Sequence, residues 1–388
     1  MSDSSSDKSP AEPLLNSERQ QQAKQYARSG RYLTCAELAL SGALLALLVF
    51  GGFSTRLTGY LDLPVVPAAI IYFIILITAY RVLTAPFGYY RGYVLPRHYG
   101  LSNQSLAGWL SDLLKATILM LLLGVAIVAV AYWFIIVQPQ IWWLLTWGFL
   151  VFISLILSVL APVLLVPMFF KMKPLADTEL RRRLEQLAEQ AGVEVGDIYK
   201  IEFSSKGTMA NAALMGMGRT KRIALSDTLL DKYSPEEIEV IMAHEMGHTR
   251  YRDMLRLFVF QSAILLLTLY ATGLILEASI VPLGFSSVSD VSALPLLVLI
   301  FGAASLLLSP VVTGYTRRIE TEADGYALGL TDDPTSFISA MTRLTDQNLA
   351  EAEPNRWIEL LLYDHPSYRS RLAHARGYSE LKKAVNND

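Results

Sequence analysis

Ser234-Pro235-Glu236-Glu237-Ile238-Glu239-Val240-Ile241-Met242-Ala243-His244-Glu245-Met246-Gly247-His248 combines a helix start with a metal grip. Ser234 stands as N-cap, Pro235 as the first helical residue, and Glu237 closes a capping box. Ile238, Ile241 and Met242 give the helix an apolar side. Residues four apart on a helix share a face, so His244 and His248 can hold one metal ion from one side. Glu245 lies beside them, placed to act on a metal-activated water. HExxH on a helix is the sequence mark of a zinc metallopeptidase with the glutamate as general base. Two of the five histidines in the chain fall inside this run. The competing reading is a buried helix with two structural histidines, so the surrounding sequence has to supply the rest of a site.

That surrounding sequence is unusually apolar. The chain has 388 residues, 53% hydrophobic and 18% charged, where globular chains are nearer about one-quarter charged. The excess lies in six runs long enough to cross a bilayer, at 33–53, 63–88, 113–137, 141–169, 257–276 and 293–315. Gln138-Pro139-Gln140 alone joins the third and fourth, which therefore form a tight helical hairpin, and Trp133, Trp142, Trp143 and Trp147 cluster there as interfacial aromatic residues do. The tail, the 89–112 loop, the 170–256 segment and the C-terminal part carry Lys and Arg; the 138–140 turn and the 277–292 loop carry none, and the 54–62 loop carries only Arg56. An even number of spans with both termini and the motif in the cytosol fits this alternation. A net charge of −2 offers no basic surface for nucleic acid, and the single cysteine, Cys35, excludes an intrachain disulfide and points any zinc site to His and carboxylate ligands.

The expected fold is mainly α, a polytopic membrane bundle of about six spans with a small α+β cytosolic insert. Its parts read as a tail over 1–32, spans over 33–169, an insert with the HExxH helix over 170–256, spans over 257–318, and helices over 319–388 that complete the site. The tail has no signal peptide; residues 1–15 read as disordered and 16–32 as either a surface helix at lipid headgroups or a solvated tail. Within the insert, Leu180, Leu184 and Leu187 mark a helix ending near Gly192, and Ile198 to Phe203 alternates like a strand. Met209 to Met215 and Arg222 to Ser226 read as a hairpin around Gly216, Gly218 and Thr220. Further helices start at Asp333-Pro334 and after Pro366.

A site of this type needs a third protein ligand. The candidates lie in Arg317-Arg318-Ile319-Glu320-Thr321-Glu322-Ala323-Asp324, directly after the sixth span. Glu320 and Asp324 share a helix face, so Glu320 can bind metal while Asp324 fixes the tautomer of a ligand histidine. Chemistry alone nominates Glu322 as well.

At this point the sequence resembles the type I CAAX prenyl proteases and the related HtpX-type membrane proteases, integral-membrane gluzincins that couple HExxH to a later E-x-x-A-D. The matching stretch here is Glu320-Thr321-Glu322-Ala323-Asp324, which selects Glu320 over Glu322. Arg97-His98-Tyr99-Gly100-Leu101-Ser102-Asn103-Gln104 resembles the family's loop before a span, and Asn211-Ala212-Ala213 followed by Arg222 to Leu230 resembles its edge-strand hairpin. His365-Pro366 with Arg371 resembles its C-terminal motif, and the resemblance spans residues 85–375. Two departures stand out: the family has seven spans where six are counted here, the missing one N-terminal, and Thr321 replaces a common aromatic residue.

The resemblance implies one zinc ion per chain on His244, His248 and Glu320, with Glu245 as the base that takes a proton from the attacking water. It implies His365 as oxyanion support, Asp324 behind the ligands, and Arg371 supporting the site or binding substrate. Asn211 and Ala212 would pair with an extended peptide by strand addition. His98 and His374 read as interfacial and solvent-exposed.

The favoured function is a zinc endopeptidase at the cytosolic membrane surface, with a peptide or protein substrate that is lipidated or membrane-derived, in the prokaryotic plasma membrane rather than the ER. Alternatives are an HtpX-like protease for damaged membrane proteins and, in a different class, an inactive scaffold or transporter on a peptidase fold. A site-2-type intramembrane protease is disfavoured by Glu236, Glu237, Glu239, Arg250, Arg252 and Asp253 around the motif, because charges that dense do not sit in lipid.

Overall fold

A computed structural model describes residues 14–216 and 221–387. In chain order its main elements are α1 (Ser17–Phe50), α2 (Val65–Tyr89), α3 (Leu106–Val137), α4 (Trp142–Leu160), β1 (Met172–Pro174), α5 (Thr178–Gln190), β2 (Asp197–Ile201), β3 (Ala212–Met215), β4 (Arg222–Ser226), α6 (Pro235–Arg250), α7 (Asp253–Ile280), α8 (Leu294–Thr331), α9 (Pro334–Gln347), α10 (Arg356–Leu362) and α11 (Tyr368–Asn387). The chain divides into two compact units. One comprises residues 28–169 and 254–314, the other residues 1–27, 170–253 and 315–388.

The first unit is built from the apolar runs. Among the described residues six helices are long and apolar enough to cross a membrane, at Ser17–Phe50, Val65–His98, Leu106–Val137, Trp142–Phe169, Asp253–Ile280 and Val291–Thr331. The chain is thus a multi-pass membrane protein of mainly helical fold. These helices outrun the apolar stretches because the polar flanks stay helical. Two contain a π-helical turn, at Tyr90–Val94 and Ala161–Leu165. Pro162 lies in the second, where its missing N–H breaks the regular ladder. Close packing replaces hydrophobic drive inside a bilayer: a Cβ on Gly124 of α3 would lie 2.5 Å from Phe73 Cζ of α2. Ser54 Oγ, 2.6 Å from the Tyr72 hydroxyl, donates to the Ser292 carbonyl, so this buried polar cluster satisfies itself.

The second unit carries a four-stranded sheet in the order β1-β2-β4-β3. Its central pair, β2 and β4, is parallel, and β1 and β3 add antiparallel on either side. The hairpin read from the sequence is the β3–β4 pair; its turn residues 217–220, like residues 1–13, lie outside the described residues. β1 escapes a sequence reading because it is three residues long and ends in a proline. Leu184 of α5, Ile198, Ile223 and Leu225 of the sheet, Met242 and Met246 of α6 and Phe337 of α9 form one buried core. Burying a side chain of this size stabilises by about 1.5–3 kcal/mol each, and this core fixes α6 against the sheet.

The start of α1 belongs to this unit too. Asn16 N–H donates to Asp346 Oδ2 at 2.8 Å, and Gln20 Nε2 to Asp346 Oδ1 at 2.9 Å. Residues 16–20 are therefore hydrogen-bonded to the end of α9.

Candidate metal and catalytic site

α6 begins as its sequence dictates. Ser234 Oγ accepts from the Glu237 N–H at 3.2 Å, and Glu237 Oε2 accepts from the Ser234 N–H at 2.9 Å. One turn before its end the helix presses on α8 through Gly247, where an added Cβ would meet Ala323 Cα and Tyr326 Cβ at 3.2 Å. Only a residue without a side chain lets the two helices approach this closely without displacement, and the approach brings both halves of the site together. α8 continues without a break to Thr331, so Glu320 and Asp324 stand one turn apart on a rigid element.

Three donor groups converge there. His244 Nε2 and His248 Nε2 are 3.2 Å apart, Glu320 Oε2 lies 3.3 Å from the first and Oε1 3.5 Å from the second. Tetrahedral zinc with bonds near 2.0–2.1 Å needs ligand atoms about 3.4 Å apart. The donors present fit that ion in type, number and spacing, and among the described residues they are the grouping of His, Cys, Asp and Glu able to hold a metal.

Behind the donors lies a shell of carboxylates. His244 Nδ1 is 2.9 Å from Asp324 Oδ1, and His248 Nδ1 is 3.0 Å from Asp253 Oδ2. Each ring is thereby turned to present Nε2 to the metal position. Burial disfavours charge on His244, but Asp324 and Glu320 outweigh it and push the ring up to about 10. Arg371 lies against the same carboxylates, 3.3 Å from Glu320 Oε2 and 3.2 Å from Asp324 Oδ2, and is itself 14% exposed.

Asp253 is the residue that sequence reasoning missed. In the sequence it stands only as one more charge after the motif. α6 ends at Arg250, and Arg252 takes φ 57°, the left-handed conformation that folds a chain back after a helix. This turn returns Asp253, 1% exposed, onto His248. The available signal was a carboxylate five residues beyond the second histidine, at the first position of the next helix.

Glu245 lines a cleft of about 420 Å³ together with His244, Asn211, Ala212, His365 and Arg371. Burial raises its carboxyl above the ordinary range, against the lowering influence of the two histidines and a hydrogen bond from the Leu214 N–H. His365 is half-exposed, its Nε2 3.4 Å from Glu320 Oε2 and its Nδ1 2.9 Å from Asp364 Oδ1. The cleft walls are apolar at Leu229, Ile241, Met341 and Leu344.

One sequence expectation needs correction. Asn211 lines the cleft, but its backbone faces the sheet: its N–H donates to Ser226 Oγ at 2.9 Å and its carbonyl accepts from Ser226 N–H at 2.9 Å. Antiparallel ladders alternate, so along β3 the backbone groups of Ala212 and Leu214 face the open edge instead. The Leu214 N–H already serves Glu245, and the backbone of Ala212 faces the same open edge. Glu322 faces away, paired with Arg318 at 3.1 Å. His374 is half-buried beside Gly325, not solvent-exposed.

Comparisons with known proteins converge on the same segments. The sequence model of peptidase family M48 matches residues 174–379, and that of the CAAX prenyl protease N-terminal region, five membrane helices, matches residues 6–171. An uncharacterized metalloprotease of Bacillus subtilis, YhfN, is 28% identical over 367 residues, 91% of this chain and 84% of its own. CAAX prenyl protease 1 of Saccharomyces cerevisiae is 28% identical over 325 residues, 77% of this chain and 70% of its own. The crystal structure of S. mikatae Ste24p superposes with a TM-score of 0.81 at 20% identity, covering 95% of this chain and 92% of that one, a likeness of fold.

Proposed function

The chain belongs to peptidase family M48, and from that premise we propose that it is a zinc-dependent endopeptidase acting on extended peptides at the cytosolic face of its membrane. The observation that carries this reading is the convergence of His244, His248 and Glu320 at zinc spacing with Glu245 in the same cleft. Zinc held by those three residues supplies Lewis acidity, which polarises a carbonyl and acidifies water. Glu245 accepts the proton of the attacking water on its carboxylate and returns it to the leaving amine. His365 donates from Nε2 to the oxyanion as it develops. Asp324 and Asp253 keep the two ligand rings oriented, and Arg371 balances the charge of Asp324 and Glu320.

Ala212 offers its N–H and carbonyl to a peptide that adds to β3, and the apolar walls receive apolar side chains. The chain is tethered to membrane spans immediately after α6, so substrates with lipidated or membrane-derived neighbours suit the site. CAAX-type tails fall within that class.

Two measurements test the reading. Purified protein is expected to contain one zinc per chain, to lose cleavage of an apolar peptide on treatment with a chelator, and to regain it with zinc. Cleavage unaffected by complete metal removal would defeat the proposal. Sidedness is expected from the alternation of basic loops: reporter tags at both termini and within 170–200 in the cytosol, and a tag within 280–290 on the far side. A terminus found on the far side would refute that orientation.

A further inference from the structure

Side chains hold much of the backbone leading into the edge strand. The Thr208 carbonyl accepts from Gln347 Nε2 at 2.7 Å, and the Met209 carbonyl from Thr228 Oγ1 at 2.6 Å. Ala210 N–H donates to Asn348 Oδ1 at 2.9 Å, while its carbonyl accepts from Asn348 Nδ2 at 3.0 Å. The Asn348 amide therefore pairs with Ala210 as a neighbouring strand would, with two bonds side by side. It does so two residues before Ala212, at the point where the open edge of β3 begins. Asn348 also lines the cleft.

The turn that carries Asn348 is closed by its own backbone, Asn348 N–H to the Leu344 carbonyl at 3.0 Å and Ala350 N–H to the Thr345 carbonyl at 2.9 Å, and is braced from outside as well. Asn348 caps the C-terminus of α9, and the next residue, Leu349, is buried with φ 49°, a left-handed conformation unfavourable for leucine. Its outer side is gripped by the first turn of α1. Asp346 takes the Asn16 N–H and Gln20 Nε2, as described above, and Arg19 Nε donates to the Asp346 carbonyl at 3.3 Å. Gln20 bonds on both sides of the turn: its Oε1 accepts from Ala352 N–H at 3.1 Å and its Nε2 reaches the Ala350 carbonyl at 3.4 Å.

We propose that Asn348 is the positioning residue for the substrate-facing edge of the sheet, and that residues 16–20 lock it by clasping the turn from behind. The N-terminal polar segment, distant in sequence from every catalytic group, thereby sets where Ala212 stands relative to Glu245. The effect on substrate rests on the endopeptidase reading above; the effect on the backbone does not.

Hydrogen–deuterium exchange and steady-state kinetics on the full chain in detergent or lipid discs separate the two. Asn348→Ala removes both bonds to Ala210, and exchange in 208–212 is expected to accelerate about tenfold or more. KM for a peptide substrate is expected to rise several-fold, with kcat changing less and zinc staying at one per chain. Asn348→Asp, which keeps the acceptor and loses the donor, should fall between, and it serves if the alanine variant does not fold. Asp346→Ala, remote from the cleft, should loosen both 346–352 and 208–212. Combined with Asn348→Ala it should add nothing at Ala210, the residue that Asn348 holds, because there it acts through Asn348. Unchanged exchange at 208–212 in Asn348→Ala overturns the positioning role, and an Asp346→Ala effect confined to 346–352 overturns the clasp. The expected exchange pattern in a protein that cleaves no peptide would keep the clasp and remove the peptidase reading.

Discussion

Glu245→Gln is expected to retain zinc at one per chain and to lower peptide cleavage by on the order of 10²–10⁴. The substitution preserves size and the capacity to accept the Leu214 N–H, but an amide cannot take a proton from water at neutral pH. Glu245 stands outside the donor set, so the ligands keep their mutual distances of 3.2 to 3.5 Å. Metal analysis beside a single-turnover assay checks both halves. A Gln variant that cleaves at the wild-type rate would eliminate Glu245 as the base. Loss of zinc together with activity would mean instead that Glu245 maintains the site rather than moving a proton.

The parts of this protein legible in the sequence are those whose causes are local. The capping box needs only three residues of spacing, and Ser234 and Glu237 form it as read. Pairs four apart on one helix give the HExxH and Glu320–Asp324 faces, and runs of about twenty apolar residues give the six spans. Periodicity found α5 and the β3–β4 pair for the same reason. What stayed hidden depends on chain reversals and on partners far apart. Asp253 reaches His248 only because Arg252 takes a left-handed turn, which no apolar pattern announces. The contact between Asn348 and Ala210 joins residues 138 positions apart, and those of Asn16 and Gln20 with Asp346 join residues 330 and 326 apart. The direction of the Asn211 backbone was set by register against Ser226, and register is a property of the pair rather than of either strand.

Glu320→Ala is expected to have the largest effect on metal, greater than any change in the surrounding carboxylates. Glu320 faces both histidines, and its removal leaves a two-nitrogen site on one helix face, with nothing from α8 to close the coordination. The variant should fail to retain stoichiometric zinc through dialysis against a mild chelator. Asp253→Asn and Asp324→Asn keep every donor and disturb only the orientation of the rings. Each should weaken zinc binding by about 10–100-fold, the usual range for groups that position ligands. The two should not be equivalent in their surroundings. Asp324 also receives Arg371 at 3.2 Å, so neutralising it removes one of that buried guanidinium's two carboxylate contacts in the site, a loss that Asp253→Asn does not cause. Asp324→Asn should therefore lower the thermal midpoint of the metal-free protein, while both substitutions shift zinc affinity. Competition titrations with a chromophoric chelator and unfolding scans on the same samples read the two effects. Full zinc retention by Glu320→Ala would break the assignment of the third ligand and return Glu322 to consideration, although its carboxylate is paired with Arg318 on another face of α8.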